Sequence, residues 1–105
     1  MNENIKDLIP LELQDKIPKL YETEEQEDPI AYIKLFTPDS NWTCYITELS
    51  IDKNICFGYV VSAYNKELGY FSLEEILQLK GDLGLKVEKD LSFKETRLSA
   101  IRREY

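Results

Sequence analysis

The sequence predicts an α+β fold, an antiparallel β-meander of three to five strands with two or three short helices packed against it. Three observations predict this. Residues 30 to 62 contain three runs rich in β-branched and aromatic residues, separated by turn-forming tetrapeptides. Ser72 followed by Glu75 is a capping-box pattern that opens an apolar run with helical spacing. The composition, 43 % hydrophobic and 31 % charged over 105 residues, is that of a folding chain whose length, residues 1–105, suits a single domain with one modest core.

Taken in order, LIPLELQDKIPKLYET reads as one short helix, with Pro10 suited to its first turn and Leu11, Ile17 and Leu20 as apolar anchors. Pro18 ends or bends it. The following ETEEQEDP is dense in carboxylates and offers nothing to bury, so a solvated loop bounded by Pro29 is expected. The three strand-like runs are IAYIKLFT at 30 to 37, WTCYITELS at 42 to 50 and ICFGYVVS at 55 to 62. AYNKELG then leads to a short extended stretch, GYF. The helix SLEEILQLK keeps Leu73, Ile76, Leu77 and Lys80 on one stripe and stops at Gly81. GLKVEKDLSF is expected to give a loop and a final strand around Leu91 to Phe93, and RLSAIRRE a terminal helix or turn.

Simple hairpins place Thr37 opposite Trp42 and Ser50 opposite Ile55, and alternation then assigns each side chain to a face. One face receives Ala31, Ile33, Leu35, Trp42, Cys44, Ile46, Phe57, Tyr59 and Val61, a core-grade surface. The other receives Tyr32, Lys34, Phe36, Thr43, Tyr45, Thr47, Cys56, Gly58 and Val60. In this register Cys44 and Cys56 lie on opposite faces, which opposes a disulfide. Two buried reduced thiols are expected.

Net charge is −7 and is unevenly spread: residues 1 to 29 carry 3 Lys against 9 Asp or Glu, whereas all three arginines, Arg97, Arg102 and Arg103, lie in the last nine residues. Any basic patch must therefore be local and C-terminal. The opening residues lack a basic and apolar leader pattern, and no apolar run approaches the ~20 residues needed to cross a bilayer. A cytoplasmic protein without membrane attachment is expected.

The chain has no histidine. That removes the commonest general base, the usual zinc ligand and every Ser-His or Cys-His nucleophile pair. No phosphate-binding glycine motif occurs among its four glycines. Neither an enzyme nor a bound cofactor or metal is expected.

Two surfaces attract a binding hypothesis. The turn TPDSNW crowds Asp39, Ser40 and Asn41 between two strands, a set able to hold a hard cation or a water, although the same residues are selected by tight turns for backbone reasons alone. The mixed face carries Tyr32, Lys34, Phe36 and Tyr45, similar in composition to sheets on which single-stranded nucleic acid stacks; the alternative is a second core under a helix, residues 72 to 80 being the candidate cover. Acidity opposes a phosphate ligand. The acidic run Glu22, Glu24, Glu25, Glu27 and Asp28 reads either as a phosphate mimic or as a solubilising loop.

KLFTPDSNWTCYITE, ELGYFSLEEI, GLKVEKDLSF and LSAI, in that order, resemble the bacterial family catalogued as domain of unknown function 2958, over roughly residues 8 to 101. The most specific pieces are FTPDSNWT at 36 to 43 and ELGYFSL at 67 to 73. The resemblance implies a setting on plasmids, conjugative elements and phages, in a stand-alone form, and transfers no catalytic residue. The resulting expectation is a non-enzymatic accessory protein that binds a protein partner through the TPDSNW turn, Tyr45 and the acidic loop, the candidate binding residues overall being Asp39, Ser40, Asn41, Tyr32, Lys34, Phe36 and Tyr45. Single-stranded nucleic-acid binding through the aromatic face is the competing expectation.

Overall fold

Residues 33 to 72 supply four of the five strands of the sheet on which everything else rests. The computed structural model describes residues 8–103. In chain order the elements are α1 (Leu11–Gln14), β1 (Ile30–Ala31), β2 (Ile33–Phe36), β3 (Thr43–Leu49), β4 (Ile55–Val61), β5 (Lys66–Ser72), α2 (Leu73–Leu77), β6 (Glu88–Lys89), β7 (Thr96–Arg97) and α3 (Leu98–Arg103). The main sheet is antiparallel, ordered β5-β4-β3-β2-β6, and β1 pairs with β7 in a separate two-stranded ribbon. This is the α+β meander that the turn formers and β-branched runs predict.

Both hairpin ends take the expected register. Phe36 faces Thr43, with Thr37 N–H bonded to the Trp42 carbonyl at 3.1 Å, and Leu49 faces Cys56. Between them β3 carries one extra residue: Ile46 faces Gly58, yet Glu48 faces Phe57. Thr47 is the bulged residue, and its hydroxyl donates to the Phe57 carbonyl at 3.1 Å. Because side chains alternate with period two, one inserted residue exchanges the faces of β4 relative to the far half of β3.

The face assignment is therefore corrected for β4. Cys56 and Val60 pack with Ile33, Leu35, Cys44, Ile46 and Leu49 in the first core, whereas Tyr59 and Val61 join Tyr45 in the second. Cys44 and Cys56 share a face and are both buried free thiols. The separation expected of them does not occur. A break at Tyr32, between β1 and β2, makes a second exchange: Ala31 lies in the second core and Tyr32 packs against the first.

Each sheet face is covered. Leu8, Ile9, Ile17 and, from α2, Leu73 and Ile76 close the first core. Leu98 and Ile101 of α3, with Phe93, close the second. The cover of the mixed face is thus residues 98 to 103, and 72 to 77 cover the other one. A sheet face left in water would expose its aromatic residues, and the amphipathic terminal helix removes that cost.

Several local expectations are also revised. The N-terminal helix is one turn, since Pro18 cannot continue it; Leu11 is exposed, Ile17 is buried and Leu20 is half-buried. Helix α2 is capped as predicted, Ser72 Oγ accepting from Glu75 N–H at 3.3 Å, but ends at Leu77, with Lys80 bridged to Lys86. Strand β5 extends well beyond GYF, and the last strand of the main sheet is Glu88–Lys89, Leu91 lying in a turn.

The acidic segment is anchored. Glu48, only 2 % exposed, accepts hydrogen bonds from the Tyr21 and Thr23 N–H groups, both at 2.9 Å, and from the Thr23 hydroxyl. Tyr21 adopts φ 74°, a left-handed backbone that turns these donors onto one carboxylate. Asp28 accepts from Ser99 N–H at 2.8 Å and Oγ at 2.7 Å, and Arg97 donates to the Asp28 carbonyl at 3.1 Å. Thr23 is buried, and Glu24, Glu25 and Glu27 between these anchors are exposed.

Candidate functional site

The TPDSNW turn reaches inward. Asp39 Oδ2 accepts from the N–H groups of Leu83 at 2.6 Å and Leu85 at 3.2 Å, clamping the 81–86 loop to the β2–β3 turn. Its Oδ1 is shielded against Gly81, where a Cβ would stand 1.4 Å away. Ser40 exchanges a hydroxyl hydrogen bond with Thr37, and its N–H donates to the Thr37 carbonyl at 3.3 Å. Asn41 is exposed. Among the described residues no group of three or more His, Cys, Asp or Glu side chains converges as a cation site.

The mixed-face residues are also occupied within the fold. Tyr45 is 3 % exposed, tilted against Phe93 with ring centroids 5.8 Å apart and stacked on Tyr59 at 6.5 Å. Lys34 pairs with Asp90 at 3.5 Å and sits 5.9 Å from the Tyr45 ring. Hydrogen bonds from Ser92, then the Lys34 charge, hold the Asp90 carboxyl below the usual aspartate range. Phe36 and Tyr32 are half-buried, Tyr32 on the other side of the sheet. The seven residues therefore divide between a turn clamp, a covered face and the first core. They do not form one surface.

An open edge lies at the far end of the strand order, in a stretch that the sequence reads mainly as loop. Strand β5 is an edge strand of seven residues, paired only with β4 among the described residues. Its Leu68 is 41 % exposed and its Tyr70 52 %. Tyr70 packs on Phe57 at 4.7 Å and near Tyr21 at 6.1 Å, giving an aromatic border that runs into the acidic segment. Partial desolvation, then Tyr21, Glu48 and Glu24, push the Tyr70 hydroxyl up. The signal available in the sequence was Ser62 to Asn65 as a tight turn followed by alternation in KELGYFS; Ser62 N–H does bond the Asn65 carbonyl at 2.8 Å.

Three pockets flank these surfaces. One, lined partly by Tyr32, Lys34, Asp90 and Phe93, mixes both charges, and another, shallow, lies along Tyr21 and Ile51. A third lies between β5 and α2 beside Trp42 and Phe71. No helix among the described residues is long and apolar enough to cross a membrane. Neither a curated protein nor a solved structure matches the chain. A family model does match, over residues 8–103 and so through every element from α1 to α3: the chain belongs to the family described as protein of unknown function DUF2958.

Proposed function

We propose that this protein is a non-enzymatic, cytoplasmic accessory protein of a mobile genetic element that acts by binding a protein partner along strand β5. The observation that carries the reading is the edge itself. A seven-residue strand paired on one side only among the described residues, bearing exposed Leu68 and Tyr70, forms a template that a second extended chain can join through backbone hydrogen bonds. Folded proteins ordinarily shorten, charge or cover such an edge; β5 carries only Lys66 and Glu67, at its start. The family resemblance supports the mobile-element setting, with DNA transfer or antagonism of host defence as the process served.

Single-stranded nucleic acid has weaker support. The aromatic face lies under α3, Arg97 is bonded to Asp28, and Arg102 sits 5.4 Å over the Tyr59 ring. The net charge of −7 opposes a ligand whose affinity comes from neutralised phosphates.

A photo-crosslinking amino acid placed at position 68 in the full chain, expressed in a bacterial cell carrying the element, is expected to capture one discrete partner. The same group at position 25 is expected to capture none, and Tyr70→Glu should abolish capture at 68. Equal labelling from both positions would sink the proposal.

A further inference from the structure

We infer that the segment joining β5 carries an arginine opposite Gly69, whose guanidinium enters the pocket between β5 and α2. The inference rests on the edge-binding reading above and names the chemistry of its partner.

Hydrogen-bond phase on β5 follows from its two ends. Ser62 N–H bonds the Asn65 carbonyl at 2.8 Å and Leu73 N–H bonds the Asn54 carbonyl at 2.7 Å, so the odd-numbered residues of β5 turn their backbone groups toward β4. Leu68 and Tyr70 turn theirs outward. Lys66 N–H is already satisfied by Asn65 Oδ1 at 2.9 Å, so an added strand gains its first donor at Leu68. A residue of that strand directly across from Gly69 then occupies a non-hydrogen-bonded pair, where Cα atoms approach to about 4.5 Å.

Gly69 leaves the approach clear. It faces Gly58 across the pair with β4, and a Cβ built on it meets nothing within 4 Å. Beyond it lies a pocket of about 260 Å³ walled by Trp42, Val60, Phe71 and Ile76, with the Glu67 and Glu75 carboxylates as its charged groups. No cation lines it. Neither carboxylate has an ion pair among the described residues.

That volume is below the range typical of small-molecule sites and suits one long side chain. The walls select which one. An aliphatic stem passing Val60 and Phe71 needs a cationic end to meet two carboxylates, and a planar guanidinium adds stacking on Trp42 that an ammonium lacks. Arginine fits each requirement, lysine only the charge.

The probe is the peptide acetyl-Thr-Val-Thr-Arg-Thr-Val-Thr-amide, compared with its citrulline counterpart, which keeps the shape and removes the charge. Binding to the full chain is read from the fluorescence of Trp42, the single tryptophan, and from the Leu68 and Tyr70 amide resonances. The arginine peptide is expected to bind at least about tenfold more tightly, a difference of about 1.4 kcal/mol. Gly69→Val should abolish the preference while the thermal melt stays cooperative, since its side chain enters open space. Glu67→Gln with Glu75→Gln, both exposed positions, should abolish it by removing the charges instead. Equal binding of the two peptides, with the β5 amides shifted, overturns the arginine inference and leaves edge docking standing. Absence of any shift with either peptide at about 1 mM overturns both.

Discussion

Asp39 and Gly81 occupy a single space: a Cβ on Gly81 would stand 1.4 Å from Asp39 Oδ1 and 2.3 Å from its Cγ. The β2–β3 turn and the loop after α2 are therefore locked by a carboxylate on two backbone N–H groups, with a glycine required beneath it. Gly81→Ala should expel the carboxylate and cost about 1–3 kcal/mol, as overpacking does. Asp39→Ala should cost a similar amount by orphaning the Leu83 and Leu85 N–H groups, about 1–3 kcal/mol. The double variant should be less destabilised than the sum, because both changes break one contact. Chemical denaturation of the three variants measures this, and strict additivity would contradict the shared-space relationship.

Glu48 is expected to be the most sensitive polar position of the sheet. Its buried carboxylate receives three donors from Tyr21 and Thr23. Glu48→Ala leaves them unpaired and should cost about 3–5 kcal/mol, whereas Thr23→Val, removing one hydroxyl, should cost about 1–2 kcal/mol. Limited proteolysis offers a second readout. Cleavage among Glu24, Glu25 and Glu27 should accelerate in both variants and most in Glu48→Ala.

Cys44 and Cys56 lie in one apolar cluster, and burial pushes both thiols up. Thiolate is the reactive species, so neither should react with a disulfide reagent at neutral pH until the chain unfolds. Reaction of both residues at the global unfolding rate is the expected kinetics. Fast modification of the native protein would contradict the assigned burial.

Asp28 provides a pH test. Hydrogen bonds from the Ser99 side chain and backbone hold its carboxyl below the ordinary aspartate value. A depressed folded-state pKa stabilises above the unfolded value and loses that stabilisation as pH falls through the folded one. The contribution should be complete well above the ordinary aspartate value, roughly 4, and be lost progressively as pH falls below it. Ser99→Ala should flatten this acid limb in a thermal-melt series and leave stability above pH 7 nearly parallel to that of the parent.

Legibility in the sequence followed interaction range. Ser72 announced its helix because a cap is satisfied within four residues, and PDSN and IDKN announced their hairpins for the same reason. The Thr47 bulge was not announced. Both ends of β3 obey a hairpin register, and only the pairing with β4 shows that they disagree by one residue. Gly81 resembled a helix stop, yet its role is set by Asp39, 42 positions earlier in the chain. The candidate surface suffered most: alternation placed Tyr45 correctly beside Lys34 and Phe36, but whether that face meets water depends on Leu98 and Ile101, contributed from the far end of the chain.

From its residues alone, this protein is an acidic, histidine-free meander whose turns, strands and capped helix are written in local chemistry. Tertiary structure decided which faces the extra residue at Thr47 exchanged, which helix covered which face, and that β5 stands at an edge with Leu68 and Tyr70 exposed. The physical reason is that propensities and caps act over a few bonds, whereas burial is a property of pairs far apart in sequence, and one inserted residue reverses its sign along a whole strand.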